Sequence, residues 1–284
     1  MRKSNVLNSP RLLELKRGRR RFFLFKTFLY IFALFVIFAS LAYISRIPVL
    51  NIKGIEVIGS KIVDADEVKA IIEEEISGNY VWFFPKKNIL YYPKNNIEKE
   101  LFDKFKGLQN VSFKLDNSKI LNISLTEREG KYVWCGEDLS KIKSECSFMD
   151  TSGYVFSVAP YFSGDVYFKF FGELSGDYFS RDIFEKIISF KDALTNMGFK
   201  SISLYVKGDE DIEIYLNSNI LPPNSPKIIL RKDFDLEKIS INLQTALDTE
   251  PLKSNLKKEQ SSLQYIDLRF GNKIYYKFSA EGEN

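Results

Sequence analysis

The chain has 284 residues, is 45% hydrophobic and carries a formal net charge of +4. The first 26 residues hold nine of the 41 basic and one of the 37 acidic residues, which leaves 32 basic against 36 acidic residues, or −4, in the rest. Histidine is absent, which excludes Ser-His-Asp and Cys-His catalysis and histidine-ligated metal sites. The mildly acidic body does not favour nucleic acid as a partner.

An uncharged apolar stretch, TFLYIFALFVIFASLAYI at 27–44, follows the basic N-terminal segment. As a helix, 18 residues span roughly 27 Å, close to a bilayer core of about 30 Å. This pattern predicts a transmembrane helix over 22–45, acting as an uncleaved signal anchor, after a disordered basic tail over 1–21. A buried core helix and a cleaved signal peptide are the alternatives.

The charges that flank this stretch predict its orientation. Nine basic residues lie before the start of the stretch at Thr27. After its end at Ile44, only Arg46 and then Lys53 follow closely. The positive-inside rule therefore places the N-terminus in the cytoplasm and everything after about Ile47 outside. There, Cys135 and Cys146 can form a disulfide across a short loop, with two free thiols as the alternative.

The region after the span predicts the order strand, helix, helix, strand, strand. A short Ile- and Val-rich strand ends at Gly59, Asp64 is a candidate N-cap with Glu67 completing a capping box, and a second helix covers about 95–105. Two alternating strands follow, joined by a turn at 116–118. Between the helices, the aromatic segment 80–92 is expected to pack on the domain or to dip toward the bilayer surface.

The rest of the chain is predicted to be mostly β. The expected elements are a strand at 132–134, a hairpin at 148–156, an apolar run at 166–171, a helix from Ser180 to Met197, strands at 201–206, 212–216 and 227–230, a helix capped by Asp235, a polar loop at 250–262, and a terminal hairpin of 263–270 with 273–278. The fold class is therefore α+β.

Local catalytic signatures are weak. Residues 54–61, GIEVIGSK, have the glycine spacing of a phosphate loop, but lysine and serine are in the wrong order and the interior reads as a strand. A Ser-Lys dyad is not excluded by composition, since both residues are common. A membrane-anchored hydrolase therefore stays open as an alternative.

Four stretches resemble the bacterial cell-division family FtsQ, called DivIB in Gram-positive bacteria. IKGIEVIGSKIVDADEVKAII (52–72) resembles the opening of that family's POTRA domain, and LNISLTERE (121–129) its closing strand. SFMDTSGYVFSVAP (147–160) resembles the family's Asp-x-x-Gly hairpin, and YIDLRF (265–270) its C-terminal signature. The family commonly has a proline in the turn before the last POTRA strand, where this chain has Asp116-Asn117-Ser118.

The resemblance implies a single transmembrane helix, a POTRA domain (βααββ) over 50–127, a β-rich domain over 128–279 and a tail over 280–284. It implies a non-enzymatic scaffold at the division septum, with no catalytic residue, cofactor, metal, nucleic acid or small-molecule substrate. The implied partners are membrane-anchored FtsB- and FtsL-type proteins, which bind the C-terminal hairpin partly by strand addition, and the septal peptidoglycan synthase complex.

The candidate partner-binding residues lie in the terminal hairpin. Arg269 and Phe270 match the family's Arg-aromatic pair, Phe278 matches an aromatic on the returning strand, and Tyr265 and Tyr276 add aromatic surface. Alternation with a period of two puts Tyr276 and Phe278 on one face and Tyr275 on the other, and leaves open which face is exposed. Exchange of Arg269 for Glu is expected to weaken partner binding without unfolding the domain. Another single-pass POTRA-bearing envelope-assembly or secretion factor is the alternative.

Overall fold

The computed structural model describes residues 10–139, 145–162, 165–208, 210–259 and 262–279. Residues 1–9 of the predicted basic tail and the predicted tail at 280–284 lie outside the described residues. The fold class is α+β, with one N-terminal apolar helix and a body rich in sheets. The chain divides into two compact units, 1–127 and 128–284.

The first helix, α1, spans Pro10–Ser45. Its part Arg19–Ser45 has the length and the composition to cross a membrane, and its apolar 18-residue window has a mean hydropathy of 2.3. Residues 10–21 were expected to be disordered, and this expectation is wrong because they are the first turns of α1. Proline suits the start of a helix, and the Leu, Arg and Lys residues that follow are good helix formers continuous with an apolar helix.

A three-stranded sheet with two helices follows α1 in the first unit. The elements are β1 (Gly54–Ile58), α2 (Ala65–Glu75), β2 (Asn79–Tyr80), β3 (Phe84–Pro85), α3 (Lys94–Lys104), β4 (Leu108–Leu115) and β5 (Ile120–Glu127). The sheet order is β1-β5-β4, with β1 parallel to β5 and β4 antiparallel to it. The predicted order of strands and helices is therefore present, with the short pair β2–β3 added between the helices.

The core of the first unit forms where α2 and α3 meet the sheet. It includes Ile72, Ile97, Leu101, Leu121 and Ile123, each fully buried. Because these residues recur at helical spacing on the helices and at alternate positions on β5, a single apolar layer joins the three elements.

The start of α2 is set by a side-chain cap. Asp64 accepts a hydrogen bond from the backbone N–H of Asp66, which confirms it as the N-cap. Glu67 was expected to complete a capping box, but its carboxylate instead pairs with Lys104 Nζ of α3 at 2.7 Å. The same side chain that would have capped one helix therefore links two.

The second unit is organised on one nine-stranded sheet. Its elements are β6 (Tyr132–Trp134), β7 (Ser147–Met149), β8 (Val155–Val158), β9 (Lys169–Phe171), β10 (Leu174–Ser175), β11 (Tyr178–Phe179), α4 (Phe184–Asn196), β12 (Ser201–Lys207), β13 (Asp211–Leu216), β14 (Lys227–Arg231), α5 (Leu236–Leu247), α6 (Leu252–Glu259), β15 (Leu263–Phe270) and β16 (Lys273–Phe278). The strand order is β16-β15-β14-β13-β12-β9-β6-β7-β8.

Helices α4 and α5 pack on one face of this sheet. The main core there includes Phe170, Phe190, Leu204, Ile214 and Ile266. A smaller cluster lies on side chains that alternate with those and contains Val133, Phe171, Tyr215 and the disulfide-bonded cysteines. Toward β14, β15 and β16, this second face carries polar and aromatic side chains.

One helix of the second unit begins later than predicted, and another lies where a loop was predicted. Ser180 is not the N-cap of α4, because it has a positive φ of 37° and the helix begins at Phe184. The polar stretch after Glu250 was expected to be a loop, but Leu252–Glu259 forms α6. Leu252 and Leu256 lie four residues apart and both are at least partly buried, and this pair is the helical signal within an otherwise polar segment.

Candidate functional site

The terminal hairpin forms one edge of the nine-stranded sheet. β16 pairs antiparallel with β15, and β15 pairs in parallel with β14. Gly271 has a positive φ of 65° at the hairpin turn, a conformation that glycine adopts without strain. Within the described residues β16 is the outermost strand of the order, so the backbone groups on its outer side are free for another strand.

The two faces of β16 differ in what they contact. Tyr276 and Phe278, both named as partner-binding candidates, pack against the main core, with their rings 5.9 Å apart. The sequence left open which face of β16 is exposed. In the structure helix α5 lies against β16, and Tyr276 and Phe278 are half-buried. Tyr275 is the aromatic of β16 on the open face, where it is 49% exposed.

Phe270 and Tyr275 form an exposed aromatic pair at the end of the hairpin. Phe270 is 55% exposed, and the two ring centroids are 5.1 Å apart in an edge-to-face arrangement. With Tyr265, Arg269, Asp267 and Ile229 they line a shallow depression on the open face of the sheet. An exposed aromatic pair beside a charged residue is the composition of an interface anchor.

Arg269 is held within the sheet by two carboxylates. Its Nε and Nη2 donate to the two oxygens of Asp267 at 2.9 and 2.6 Å, and its Nη1 donates to Asp211 Oδ2 at 2.7 Å. The hydrogen bond to Asp267 is the main cause that raises the pKa of Arg269. The guanidinium lies 5.7 Å from the Phe270 ring centroid, within the range of a cation–π contact.

A second polar group lies on the neighbouring strands of the same face. Glu213 of β13 accepts hydrogen bonds from Lys227 Nζ, at 3.0 Å, and from the Tyr215 hydroxyl. Burial, followed by the bond to Glu213, raises the pKa of Tyr215. Lys227 is opposite Tyr265 in the register of β14 and β15, so the depression continues into a row of internally paired charges.

The Asp-x-x-Gly stretch is a turn held by its aspartate. Asp150 accepts hydrogen bonds from the backbone N–H groups of Ser152 and Tyr154 and from the Ser152 hydroxyl, and it pairs with Arg128. Burial opposes the ionisation of Asp150, but these hydrogen bonds outweigh it and lower its pKa. Arg128 also stacks 4.1 Å from the Tyr154 ring centroid. The aspartate of the Asp-x-x-Gly stretch therefore stabilises the turn between β7 and β8.

Glu127, in the stretch LNISLTERE (121–129), likewise has a structural role in the first unit. Its carboxylate accepts backbone N–H bonds from Lys61 at 2.8 Å and from Ile62 and Val63 at 3.0 Å. Burial opposes its ionisation, but the three bonds together lower its pKa. The end of β5 thereby holds the loop that leads into α2.

The described part of the chain offers little to a metal ion. No group of three or more His, Cys, Asp or Glu side chains there has the arrangement of a metal site. Asp211, Glu213 and Asp267 lie on the open face, but each is already ion-paired: Arg269 is shared by Asp211 and Asp267, and Lys227 pairs with Glu213.

The chain matches no protein-family model, and it matches no curated protein.

Proposed function

We propose that this chain is a non-enzymatic scaffold of bacterial cell division, similar to FtsQ and DivIB. In this proposal α1 anchors the protein in the cytoplasmic membrane as a single-pass span, with the N-terminus in the cytoplasm. The support is the apolar helix Arg19–Ser45 and the basic residues that precede it. The part of the first unit that follows α1 and the whole second unit then lie outside the cytoplasm, where the disulfide of Cys135 and Cys146 is stable.

The part of the first unit that follows α1, residues 50–127, is proposed to be a POTRA domain. Its support is the order of β1, α2, α3, β4 and β5, with the two helices on one side of a three-stranded sheet. The short β2–β3 pair is an addition to that pattern.

The observation that carries the proposal is the free edge of β16 beside the aromatic pair of Phe270 and Tyr275. An extended segment of an FtsB- or FtsL-type protein would add to this edge through backbone hydrogen bonds. The exposed rings then supply an anchor for its side chains, and Arg269 and Tyr265 border that anchor. A scaffold of this kind would help to recruit and regulate the septal peptidoglycan synthase.

Site-specific photocrosslinking in dividing cells of the host tests this proposal. A photoreactive phenylalanine analogue placed at Tyr275 is expected to capture a single-pass coiled-coil division protein. The matched control is Tyr161, which is 88% exposed and follows β8 at the opposite edge of the sheet. Equal capture from both positions, or no division protein from Tyr275, contradicts the proposed interface.

Cellular position is the companion measurement. A fluorescent tag at the N-terminus is expected to label a mid-cell band before constriction begins. Uniform envelope labelling in dividing cells would instead favour a general envelope-assembly factor.

A further inference from the structure

The short hairpin β2–β3 lies alongside α1 within the first unit. The ring of Phe38 in α1 is 5.9 Å from that of Phe83 and 5.3 Å from that of Phe84, both edge to face. Phe38 precedes Arg46 by eight residues, which is about 12 Å along a helix at about 1.5 Å per residue. The hairpin therefore reaches back along the apolar surface of α1 instead of stopping at its end.

Polar groups at the junction hold the hairpin in this position. Asn88 Nδ2 donates to the carbonyl of Ser45 at 3.0 Å, and Asn51 Nδ2 donates to the carbonyl of Ile47 at 2.8 Å. Asn51 and Asn88 also form an isolated backbone bridge, and both are buried. The end of α1 and the base of the aromatic segment are thus tied together by buried hydrogen bonds, which disfavour a hinge at this point.

Arg46 supplies donors to the backbone of the hairpin tip. Its Nε donates to the carbonyl of Phe83 at 3.2 Å, and its Nη2 lies 3.5 Å from the carbonyl of Trp82. Within the turn itself, the Phe83 N–H donates to the carbonyl of Tyr80 at 3.2 Å. Backbone polar groups that enter lipid need such partners because no water is present there. A guanidinium at the helix end can meet these carbonyls while remaining near the headgroups.

The turn at the tip has an unusual sequence for its conformation. Val81 and Trp82 both have positive φ, 46° and 63°, at the two central positions of the turn between β2 and β3. Asn and Gly are the residues favoured there, and a β-branched residue at positive φ is strained. Yet both side chains project outward, 74% and 85% exposed. The turn thus combines a strained backbone with two exposed apolar side chains. This combination indicates that an apolar environment surrounds the tip.

We propose that the tip of the β2–β3 hairpin, Val81 and Trp82 above all, inserts into the outer leaflet of the bilayer that α1 spans. The occupant of this surface is lipid, because the rings behind the tip pack on a helix face that is itself apolar and exposed. Trp suits the interface between acyl chains and headgroups, and the adjacent Lys86 and Lys87 suit lipid phosphates. This inference rests on the proposed membrane anchoring by α1, and it is independent of the proposed division partners.

Depth-dependent tryptophan quenching tests the insertion on the full chain. The chain contains two tryptophans, Trp82 and Trp134. In Trp134→Phe protein reconstituted into phospholipid vesicles with brominated acyl chains, emission from Trp82 is expected to be blue-shifted, strongly quenched by the bromine and little affected by aqueous acrylamide. The matched control is Trp82→Phe, in which Trp134 is the remaining tryptophan. The Trp134 indole donates to the Gly172 carbonyl and packs on the core of the second unit. We expect no bromine quenching of Trp134 emission.

A third protein separates failure of insertion from failure of anchoring. The Phe35→Trp, Trp82→Phe, Trp134→Phe variant carries its tryptophan on the exposed surface of α1. If bromolipid quenches the tryptophan at position 35 of this variant but does not quench Trp82 of the Trp134→Phe protein, the insertion is overturned and the anchor stands. If it quenches neither, the membrane anchor fails and the insertion fails with it.

Lipid photolabelling checks the same point on the wild-type chain, without substitutions. A phospholipid with a diazirine in its acyl chain is expected to label peptides of 79–85 as well as peptides of α1, and to leave β4 unlabelled. In the variant Val81→Asn, Trp82→Gly, which has the favoured residues for this turn, the label at 79–85 is expected to fall several-fold. Labelling of α1 with none at 79–85 in the wild-type chain would overturn the insertion.

Discussion

Arg269 and Asp267 form a two-point ion pair on the open face of the terminal hairpin, with Nε–Oδ1 and Nη2–Oδ2 distances of 2.9 and 2.6 Å. Asp267 is almost fully buried, whereas the Arg269 side chain is about one-third exposed. The pair therefore stabilises the fold, while the exposed part of Arg269 remains accessible to a partner. The sequence expectation, that Arg269→Glu weakens partner binding without unfolding the domain, did not include this ion pair.

Exchange of Arg269 is expected to destabilise the second unit. Arg269→Glu places a third carboxylate beside Asp267 and Asp211, and we expect a loss of about 2–3 kcal/mol in the free energy of unfolding. Arg269→Lys keeps the charge but loses the fork geometry, so we expect about 1 kcal/mol. Urea unfolding of the two variants measures both values. An Arg269→Glu protein as stable as wild type would show that the ion pairs contribute nothing measurable, and would restore this exchange as a clean binding test.

Substitutions on the two faces of the hairpin are expected to separate binding from stability. Phe270→Ala and Tyr275→Ala remove exposed rings, so the unfolding free energy should change by less than about 1 kcal/mol while partner capture falls at least about tenfold. Tyr276→Ala and Phe278→Ala remove core contacts, so we expect a loss of about 2–3 kcal/mol. Pull-down with parallel urea unfolding distinguishes the two classes.

Tyr161→Ala is the matched surface control for these variants, since it removes an exposed ring at the other edge of the sheet. The assignment of faces is wrong if Tyr276→Ala leaves the stability intact while Tyr275→Ala unfolds the unit.

The stability of the first unit should depend on pH through Glu127. Its pKa is lower in the folded chain than its ordinary value of 4.5. The stabilisation is therefore complete above pH 4.5 and is lost as the pH falls through the lower folded pKa. Glu127→Gln should lose about 1 kcal/mol at neutral pH, because it exchanges a charged acceptor of three N–H groups for a neutral one.

The control for this prediction is Glu56→Gln, which alters an exposed carboxylate on β1 of the same unit. Thermal unfolding between pH 3 and pH 7 is the measurement, and the gap between wild type and Glu127→Gln should narrow toward the acid end of the range. A gap that stays constant with pH would mean that the carboxylate of Glu127 is not the titrating group.

Reduction should weaken the second unit without affecting the first. Cys135 and Cys146 are disulfide-bonded across a sequence separation of 11, and closing a loop of that size stabilises a fold by about 2–3 kcal/mol. We expect a reductant to lower the unfolding free energy of the second unit by that amount in urea titrations. The Cys135→Ser, Cys146→Ser double variant provides the control, because its unfolding should be insensitive to the reductant.

Several features of this protein could be predicted from short stretches of sequence. The caps at Asp64 and Asp235 and the turn at Gly271 depend on residues within a few positions of one another, and each was identified correctly. The apolar helix was recognised from its length and composition. Sequence also drew attention to Arg269 and Phe270, through their place in the resemblance.

Other features depend on contacts that are distant in sequence. The start of α4 and the existence of α6 do not follow from the local cap and loop signals, because packing of their apolar residues on the rest of the second unit outweighs those signals. The parallel pairing of β14 with β15 joins segments separated by two helices, and no local pattern encodes such a register.

The sequence by itself determined that alternate residues of the last strand share a face, so that Tyr276 and Phe278 belong together and Tyr275 lies opposite. Only the tertiary structure decided which face is covered, because α5, which lies far upstream of β16, packs on one side of the hairpin and leaves the other open. Likewise, composition identified 80–92 as an aromatic segment, but its position against Phe38 depends on packing between an apolar helix and a hairpin more than 40 residues after Phe38. Period and composition are local properties of a chain, whereas the solvent exposure of a face is set by whatever else packs there.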